Sequence, residues 1–350
     1  MKSTPYTIHY GIGMLMNFEP LAYDTLKFEP GASVVSLSYS EAGDKNTLRS
    51  ILEKNEKLNS VVTKHLALFP LFDIVNREPT DEYYFKIEKK NELTTYNLQL
   101  TTVHPARVKI NIEVEAGSQI TIIENFQGKS YVGYELNIIA GEGVKIDFIA
   151  ATAEPVQRTV LRNAFMGKDS HIIWHEAVIE GSLVQSHTRT YLYETGARSE
   201  VRDLFALSSE TVLDMYHSMY HLASHTTSDM LTKGVLSGKA KAMYQGLIHI
   251  DEKAVGCVGY QKQDSLVLSN SAEVNAVPNL EIENSDVKCS HGVTTAHIDK
   301  EKLFYAQSRG IDEAQAIELF VVGHLSPCLD TIPDDVFRSN IEERVRGNIL

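Results

Sequence analysis

The chain has 350 residues, 43% apolar and 23% charged, the balance of a soluble globular protein long enough to bury a sizeable core. Its 46 acidic against 33 basic residues give a formal charge of −13, which argues against a nucleic-acid surface. No apolar run approaches the roughly 20 residues of a membrane-spanning helix. The N-terminal "MKSTPYTIHYGIGMLMNF" has neither the apolar stretch nor the small-residue cleavage site of a secretory signal. Cys257, Cys289 and Cys328 are odd in number and widely spaced, so they do not form a disulfide framework, and a cytoplasmic location is expected.

Residues 1–100 read as a mixed region. "TLRSILEKNEKLNSVVTKHLALF" places Leu48, Ile51, Leu52, Leu58, Val62 and Leu66 at loosely helical spacing. The prolines and charges of "NREPTDEYYFKIEKKNE" suggest a surface excursion or hairpin.

From about Ala106 the period becomes two. Val108, Ile110, Ile112 and Val114 alternate with Lys109, Asn111 and Glu113, which is strand behaviour. A small residue after a turn and before a strand then recurs at Gly117, Gly143, Gly167, Gly196, Gly238 and Ser271, at separations of 26, 24, 29, 42 and 33. Recurrence on this scale marks a solenoid, and the near absence of helix up to Asp286 excludes the crossover helices of a Rossmann or barrel fold. The expectation is a mainly β chain with a right-handed parallel β-helix core over 101–296; a large antiparallel sandwich is the competing arrangement.

After Ala296 helical spacing returns. Asp299 caps a helix through Ser308, closed by Gly310. Asp312 with Gln315 resembles a capping box for "EAQAIELFVV". A third helix after Pro333 carries Phe337, Ile341 and Val345 on one face. Residues 297–350 are thus a C-terminal helical domain, and Cys328 beside Pro327 falls in a loop between helices.

His217, His221 and His225 stand four apart, the spacing of a zinc pair on a helix. Here they lie in strand-like sequence, where residues four apart are about 13 Å from each other, so structural or interface roles are expected. His171, Trp174, His175 and His187 read as structural or exposed, and Cys257 as a small buried residue. Nucleophile-elbow, P-loop, dinucleotide and zinc-protease motifs are absent. Cys289 and His291 differ: two apart at the end of the last strand, they share a face, and a thiolate near an imidazole is a nucleophile or a soft-metal ligand. Two ligands are too few for a stable metal site, so either the chain brings others from far away or a second chain supplies them, and the incompleteness suggests an interface.

The run "YQGLIHIDEKAVGCVGYQKQDSLVLSNSAEVNAVPNLEIENSDVKCSHGVTTAHIDKEKLFYAQSRGIDEAQAIELFVVGHL" resembles the C-terminal core of the SufB/SufD family, the scaffold subunits of the SUF iron–sulfur cluster assembly machinery. The carrying elements are Gly246–Ile250, Leu266–Ser269, "PNLEIENSDVKCSHG" and "LFYAQSRGI". "CSHG" is similar to the SufD type, where SufB-type chains read E-H-E-A-T. "SHGVTT" departs slightly from the commoner S-H-G-A-T. The resemblance implies a right-handed parallel β-helix with helical ends and a non-catalytic scaffold role. It also implies pairing with a SufB-type paralogue, or with itself as a homodimer, and docking of a SufC-type ABC ATPase on the C-terminal helices at Ile317, Phe320, Phe337 and Ile341. His291, with Cys289, falls at the assembly interface, where a metal ligand set would be shared with the partner chain. No cofactor is expected to stay on the single chain, although iron or an iron–sulfur cluster passes transiently through the complex. The alternative from another class is a β-solenoid polysaccharide lyase or hydrolase. It would need clustered carboxylates or basic residues on one face, and a charge of −13 repels a polyanion.

Overall fold

The computed structural model describes residues 7–10, 14–17, 31, 33–38, 41–68, 79–128, 130–153 and 157–349. Strands β1 (Thr7–Tyr10) and β2 (Met14–Asn17) pair antiparallel with each other. All later strands lie in two sheets of nine, and from β5 onward successive strands alternate between them. One sheet holds β4 (Glu41–Ala42), β5 (Asp81–Ile87), β7 (Ala106–Val114), β9 (Val132–Ala140), β11 (Arg158–Met166), β13 (Leu183–Leu192), β15 (Val212–His221), β17 (Lys241–Ile250) and β19 (Glu273–Ile282). The other holds β3 (Ser33–Leu37), β6 (Thr94–Thr102), β8 (Gln119–Gln127), β10 (Lys145–Thr152), β12 (His171–Val178), β14 (Arg198–Leu207), β16 (Thr227–Leu236), β18 (Cys257–Val267) and β20 (Val287–His297).

From β5 onward each strand pairs parallel with the strand two places ahead. That makes a β-solenoid and disposes of the sandwich. The inward side chains of both sheets meet in one core: Ile110 and Ile112 from one, Ile120 and Ile122 from the other, then Trp174, Val201 and Met230 along the axis. Alternating apolar positions are what such a core demands of each strand.

The rung is 26 residues where Ala106 registers with Val132, and lengthens to 32 where Lys241 registers with Glu273. The separations of 24 and 42 expected from sequence are corrected by the corner geometry. One corner stack places Gly117, Gly143, Asp169, Gly196, His225 and Gly256 in the left-handed region. Gly167 lies two residues before its stack member, and Gly238 belongs to the opposite corner with Ser209, as does the turn containing Ser271. Mixing two corners distorted the period. The left-handed residues tie neighbouring rungs together: Gly117 donates to the Glu142 carbonyl at 2.8 Å, Gly143 to that of Lys168 at 2.8 Å and Asp169 to that of Thr195 at 3.0 Å.

The expected hairpin around residues 76–92 is also corrected. Residues 76–78 lie outside the described ones, while β5 and β6 pair with β7 and β8 rather than with each other. Parallel pairing therefore reaches upstream of residue 101. Helices α1 (Thr47–Lys54) and α2 (Glu56–Leu68) are separated at Asn55, whose Oδ1 accepts from Leu58 N–H at 2.9 Å. Their Leu48, Ile51, Leu52, Leu58 and Val62 cover Ile139, Phe165, Tyr191 and Tyr220 on the outer face of the odd-numbered sheet.

The three C-terminal helices start where the capping residues place them. Asp299 accepts from Glu301 N–H ahead of α3 (Lys300–Ser308), Asp312 accepts from Gln315 N–H ahead of α4 (Glu313–Leu329), and Asp334 accepts from Phe337 N–H at α5 (Asp335–Ile349). Pro327 and Cys328 are in the last turn of α4, not in a loop. The proline has no N–H for the Gly323 carbonyl, and the Ser326 hydroxyl donates to that carbonyl instead at 3.2 Å. Cys328 is buried, its Sγ 3.6 Å from the Leu231 carbonyl, and burial pushes its pKa up to about 12. Among the described residues no helix is long and apolar enough to cross a membrane.

The corner geometry yields a quantitative expectation. Gly143 sits at φ 67 with open space where a Cβ would point, so Gly143→Ala pays only for the backbone. It should lower stability by roughly 1–2 kcal/mol, and Gly143→Asn by less, since asparagine tolerates this conformation. Urea midpoints equal to wild type for the alanine variant would contradict the assignment.

Candidate functional site at the open end of the solenoid

The two ends of the solenoid are built differently. At the first, the short strands β3 and β4 pair antiparallel across β6 and β5. At the other, β19 and β20 are each paired on one side only, with β17 and β18. Their residues are half-buried or exposed, whereas β17 is almost wholly buried. An uncovered edge presents a row of unpaired N–H and C=O groups ready to accept another strand or chain.

Alternation along β20 turns Val287, Cys289 and His291 toward the solenoid interior and Lys288 and Ser290 away from it. Val287 and Cys289 pack against the main core, Cys289 opposite Gly259 in the register. His291 is exposed and lies opposite Gln261. Gln261 is 4% exposed, and neither its Oε1 nor its Nε2 has a hydrogen-bond partner. Glycine at position 246 leaves room for it: a Cβ there would lie 2.5 Å from the Gln261 Oε1 and the amide would have to shift. The open end therefore presents a thiol and an imidazole above an unsatisfied amide.

Burial raises the Cys289 pKa, with the nearby Cys257 adding to the effect and a hydrogen bond involving the Gly259 backbone opposing it. The thiol consequently needs an added cation or metal to become a thiolate at neutral pH. Among the described residues, no group of three closely placed His, Cys, Asp or Glu ligands includes Cys289 or His291. On this chain the pair remains two ligands.

The other histidines follow their strands. His217 and His221 point inward from β15, fully buried, while His225 stands in the left-handed corner at φ 58. His217 Nε2 is 3.1 Å from Asp203 Oδ2, and burial raises the Asp203 pKa against the opposing pull of His217. His221 lies 2.8 Å from both the Thr226 and Ser228 hydroxyls. His175 and His187 are buried near Asp147 and Asp214, each at 3.5 Å. His171 sits 3.1 Å from Glu200, and Trp174 donates to Thr190 Oγ1 at 3.0 Å.

The expected ATPase-contact residues are placed mostly inward. Ile341 is 2% exposed, and Ile317 and Phe337 pack with it over Ile149, Leu204 and Val235 on the outer face of the even-numbered sheet. Phe320 is half-buried. The amphipathic faces that suggested a partner are thus covered by the chain's own solenoid, because β8 to β18 present apolar residues outward as well as inward. Asn348 secures α5 by donating to the Ile179 and Ala206 carbonyls at 2.6 and 2.9 Å. The exposed apolar side chains are others: Phe304 at 72% and Tyr305 at 60% on α3, with Leu319 on α4 and Val336 on α5. The "LFYAQSRGI" stretch carried that signal, since two adjacent aromatics on a helix with no buried residue have no core to serve.

Sequence reasoning also missed a charged cluster inside the solenoid. The Arg162 guanidinium donates to Glu124 at 2.8 Å, to Glu176 at 3.0 Å and to Ser186 at 3.1 Å, and Tyr134 bonds Glu124. All are buried. Removing one partner would strand a buried charge, so the cluster ties together the rungs that carry Glu124, Arg162, Glu176 and Ser186.

One consequence is measurable by pH. Burial, with a smaller contribution from His249, lowers the His221 pKa from 6.5 to about 3. The unfolded chain therefore takes up a proton below about pH 6.5 that the folded chain refuses until about pH 3, and stability falls as pH drops through that window. His221→Gln is expected to flatten the decline there. Identical pH slopes for variant and wild type would contradict it.

Residues 100–324 match the family model described as "SUF system FeS cluster assembly, SufBD core domain". The iron–sulfur cluster assembly protein SufD of Escherichia coli K12 is 25% identical over 249 residues, covering 69% of this chain and 59% of that protein. An iron–sulfur cluster assembly SufBD family protein of Staphylococcus epidermidis is 24% identical over 255 residues, 68% of this chain and 55% of the relative. A Staphylococcus aureus SufBD family protein matches to the same extent. The match thus spans somewhat more than half the length of these relatives.

Proposed function

The chain belongs to the SufBD core family of the SUF system, and on that premise we propose that it is a SufD-type scaffold subunit of an iron–sulfur cluster assembly complex, without catalysis of its own. The observation that carries this reading is the uncapped last rung with Cys289 and His291 on its inward side. Two soft-to-borderline donors at an open edge are half a ligand set, and a second solenoid meeting that edge supplies the rest. A SufB-type paralogue is the favoured partner; a second copy of this chain is the alternative. Iron and sulfide are cargo at that junction, passed through rather than kept.

A SufC-type ATPase docks on the C-terminal helices through Phe304, Tyr305 and Leu319, three of the four large apolar side chains that these helices leave in solvent. Ile341 and Phe337 act at one remove, by seating those helices on the solenoid. Ile341→Ala would open a cavity costing roughly 2–5 kcal/mol and so could not report on docking alone.

The test is reconstitution with the ATPase and the paralogue. Phe304→Asp is expected to lose the ATPase, keep the paralogue and melt like wild type, since its side chain covers no core. His291→Ala is expected to keep both partners and its melting temperature while losing most bound iron and sulfide, with Cys289→Ser less affected. Unchanged iron and sulfide in His291→Ala, or a sharp fall in its melting temperature, would sink the interface assignment. Undiminished ATPase capture by Phe304→Asp would sink the docking assignment.

A further inference from the structure

A second group of ligand-type side chains gathers at the corner between the odd-numbered sheet and the last rungs. His249 comes from the end of β17, Asp251 is the residue after that strand, and Glu283 is the residue after β19. One ligand atom of each lies within 4.8 Å of the other two. The solenoid itself assembles them. Asp251 N–H donates to the His221 carbonyl at 3.1 Å, and Glu283 N–H donates to the Ile250 carbonyl at 2.9 Å, so the two carboxylates occupy neighbouring rungs. Asp251 Oδ1 accepts from Lys253 N–H at 3.0 Å. His249 Nδ1 lies 3.3 Å from Glu281 Oε2, a carboxylate placed to orient the ring.

The charges do not balance. Asp251, whose side chain is 1% exposed, Glu281 and Glu283 are three carboxylates, and among the described residues the cation that touches Asp251 is the Lys57 ammonium of α2. Beyond that ion pair, Asp251 Oδ2 receives no hydrogen bond. The one buried carboxylate, Asp251, calls for compensation and receives it from that ammonium, while Glu281 and Glu283 face solvent and add negative potential that a cation would meet. Ligand atoms about 2.1 Å from one ion lie about 3 Å apart when adjacent and about 4.2 Å apart when opposite, so the set closes by an inward movement, which the exposed Glu283 is free to make.

We propose that His249, Asp251 and Glu283 form a divalent metal site, with Glu281 orienting His249 and Lys57 acting as the tethered cation that the metal displaces. One imidazole and two carboxylates, with no thiolate, favour manganese(II) or iron(II) over softer ions. The site joins β17 to β19 and is separate from Cys289 and His291, which lie on the other sheet.

The experiment is titration of the full chain with manganese(II) alone, free ion being read by electron paramagnetic resonance. A hard ion avoids the Cys289 thiol. Wild type is expected to bind one equivalent saturably. Glu283→Gln and His249→Gln should each weaken binding about tenfold or more; Glu283 is exposed, so its variant is expected to fold. Lys57→Gln should bind severalfold more tightly, because the competing ammonium is gone, and Cys289→Ser should bind as wild type does. The proposal is overturned if wild type and Lys57→Gln both show no saturable binding. It is equally overturned if Glu283→Gln binds as tightly as wild type, or if Lys57→Gln weakens binding.

Discussion

Inter-rung hydrogen bonding along the solenoid axis governs the rest of this molecule. Each strand satisfies its N–H and C=O groups on the strand one rung behind and one rung ahead, so order propagates by nearest neighbours. Such a series has two ends, and the backbone groups of the terminal rungs must be met by something else. Here the first end is met by β3 and β4 running antiparallel. The last end, β19 and β20, is left open. The same ladder that makes the core therefore makes an adhesive edge, and Cys289 and His291 are placed on that edge by strand alternation alone.

The outer faces explain how the helices are used. Strands buried on both sides need covering layers. The chain supplies α1 and α2 over the aromatic residues of one sheet, and α4 and α5 over the aliphatic residues of the other. Helix α3 has no buried residue of its own. Its two exposed aromatics stand beside helices whose apolar faces are already spent on the solenoid. A partner of the C-terminal region would meet α3 first.

Much of this was legible in the sequence. Period-two alternation from Val108 to Val114 and the recurring small residues announced the solenoid, and Asp299, Asp312 and Gly310 marked helix ends within a residue or two. The "CSHG" and "LFYAQSRGI" stretches carried the family. What escaped depends on rung-to-rung register, which local sequence does not reveal. Asp169 and His225 occupy corner positions that glycine fills in other rungs, so a search for small residues slipped between corners. Arg162 meets Glu124 from 38 residues away, and Glu283 meets Asp251 across a rung whose length varies. Ile341 looked like a partner-facing residue because an amphipathic helix reads the same whether its apolar stripe covers its own chain or another.

The claim on which the functional account rests is that the last rung is completed by a second solenoid. Amide hydrogen exchange along β19 and β20 tests it directly, measured on the chain alone and with a SufB-type paralogue. The account predicts that the edge amides of β20, from Val287 to His297, exchange quickly in the isolated chain and become strongly protected on mixing. Protection elsewhere, with β19 and β20 exchanging as fast as before, would contradict it.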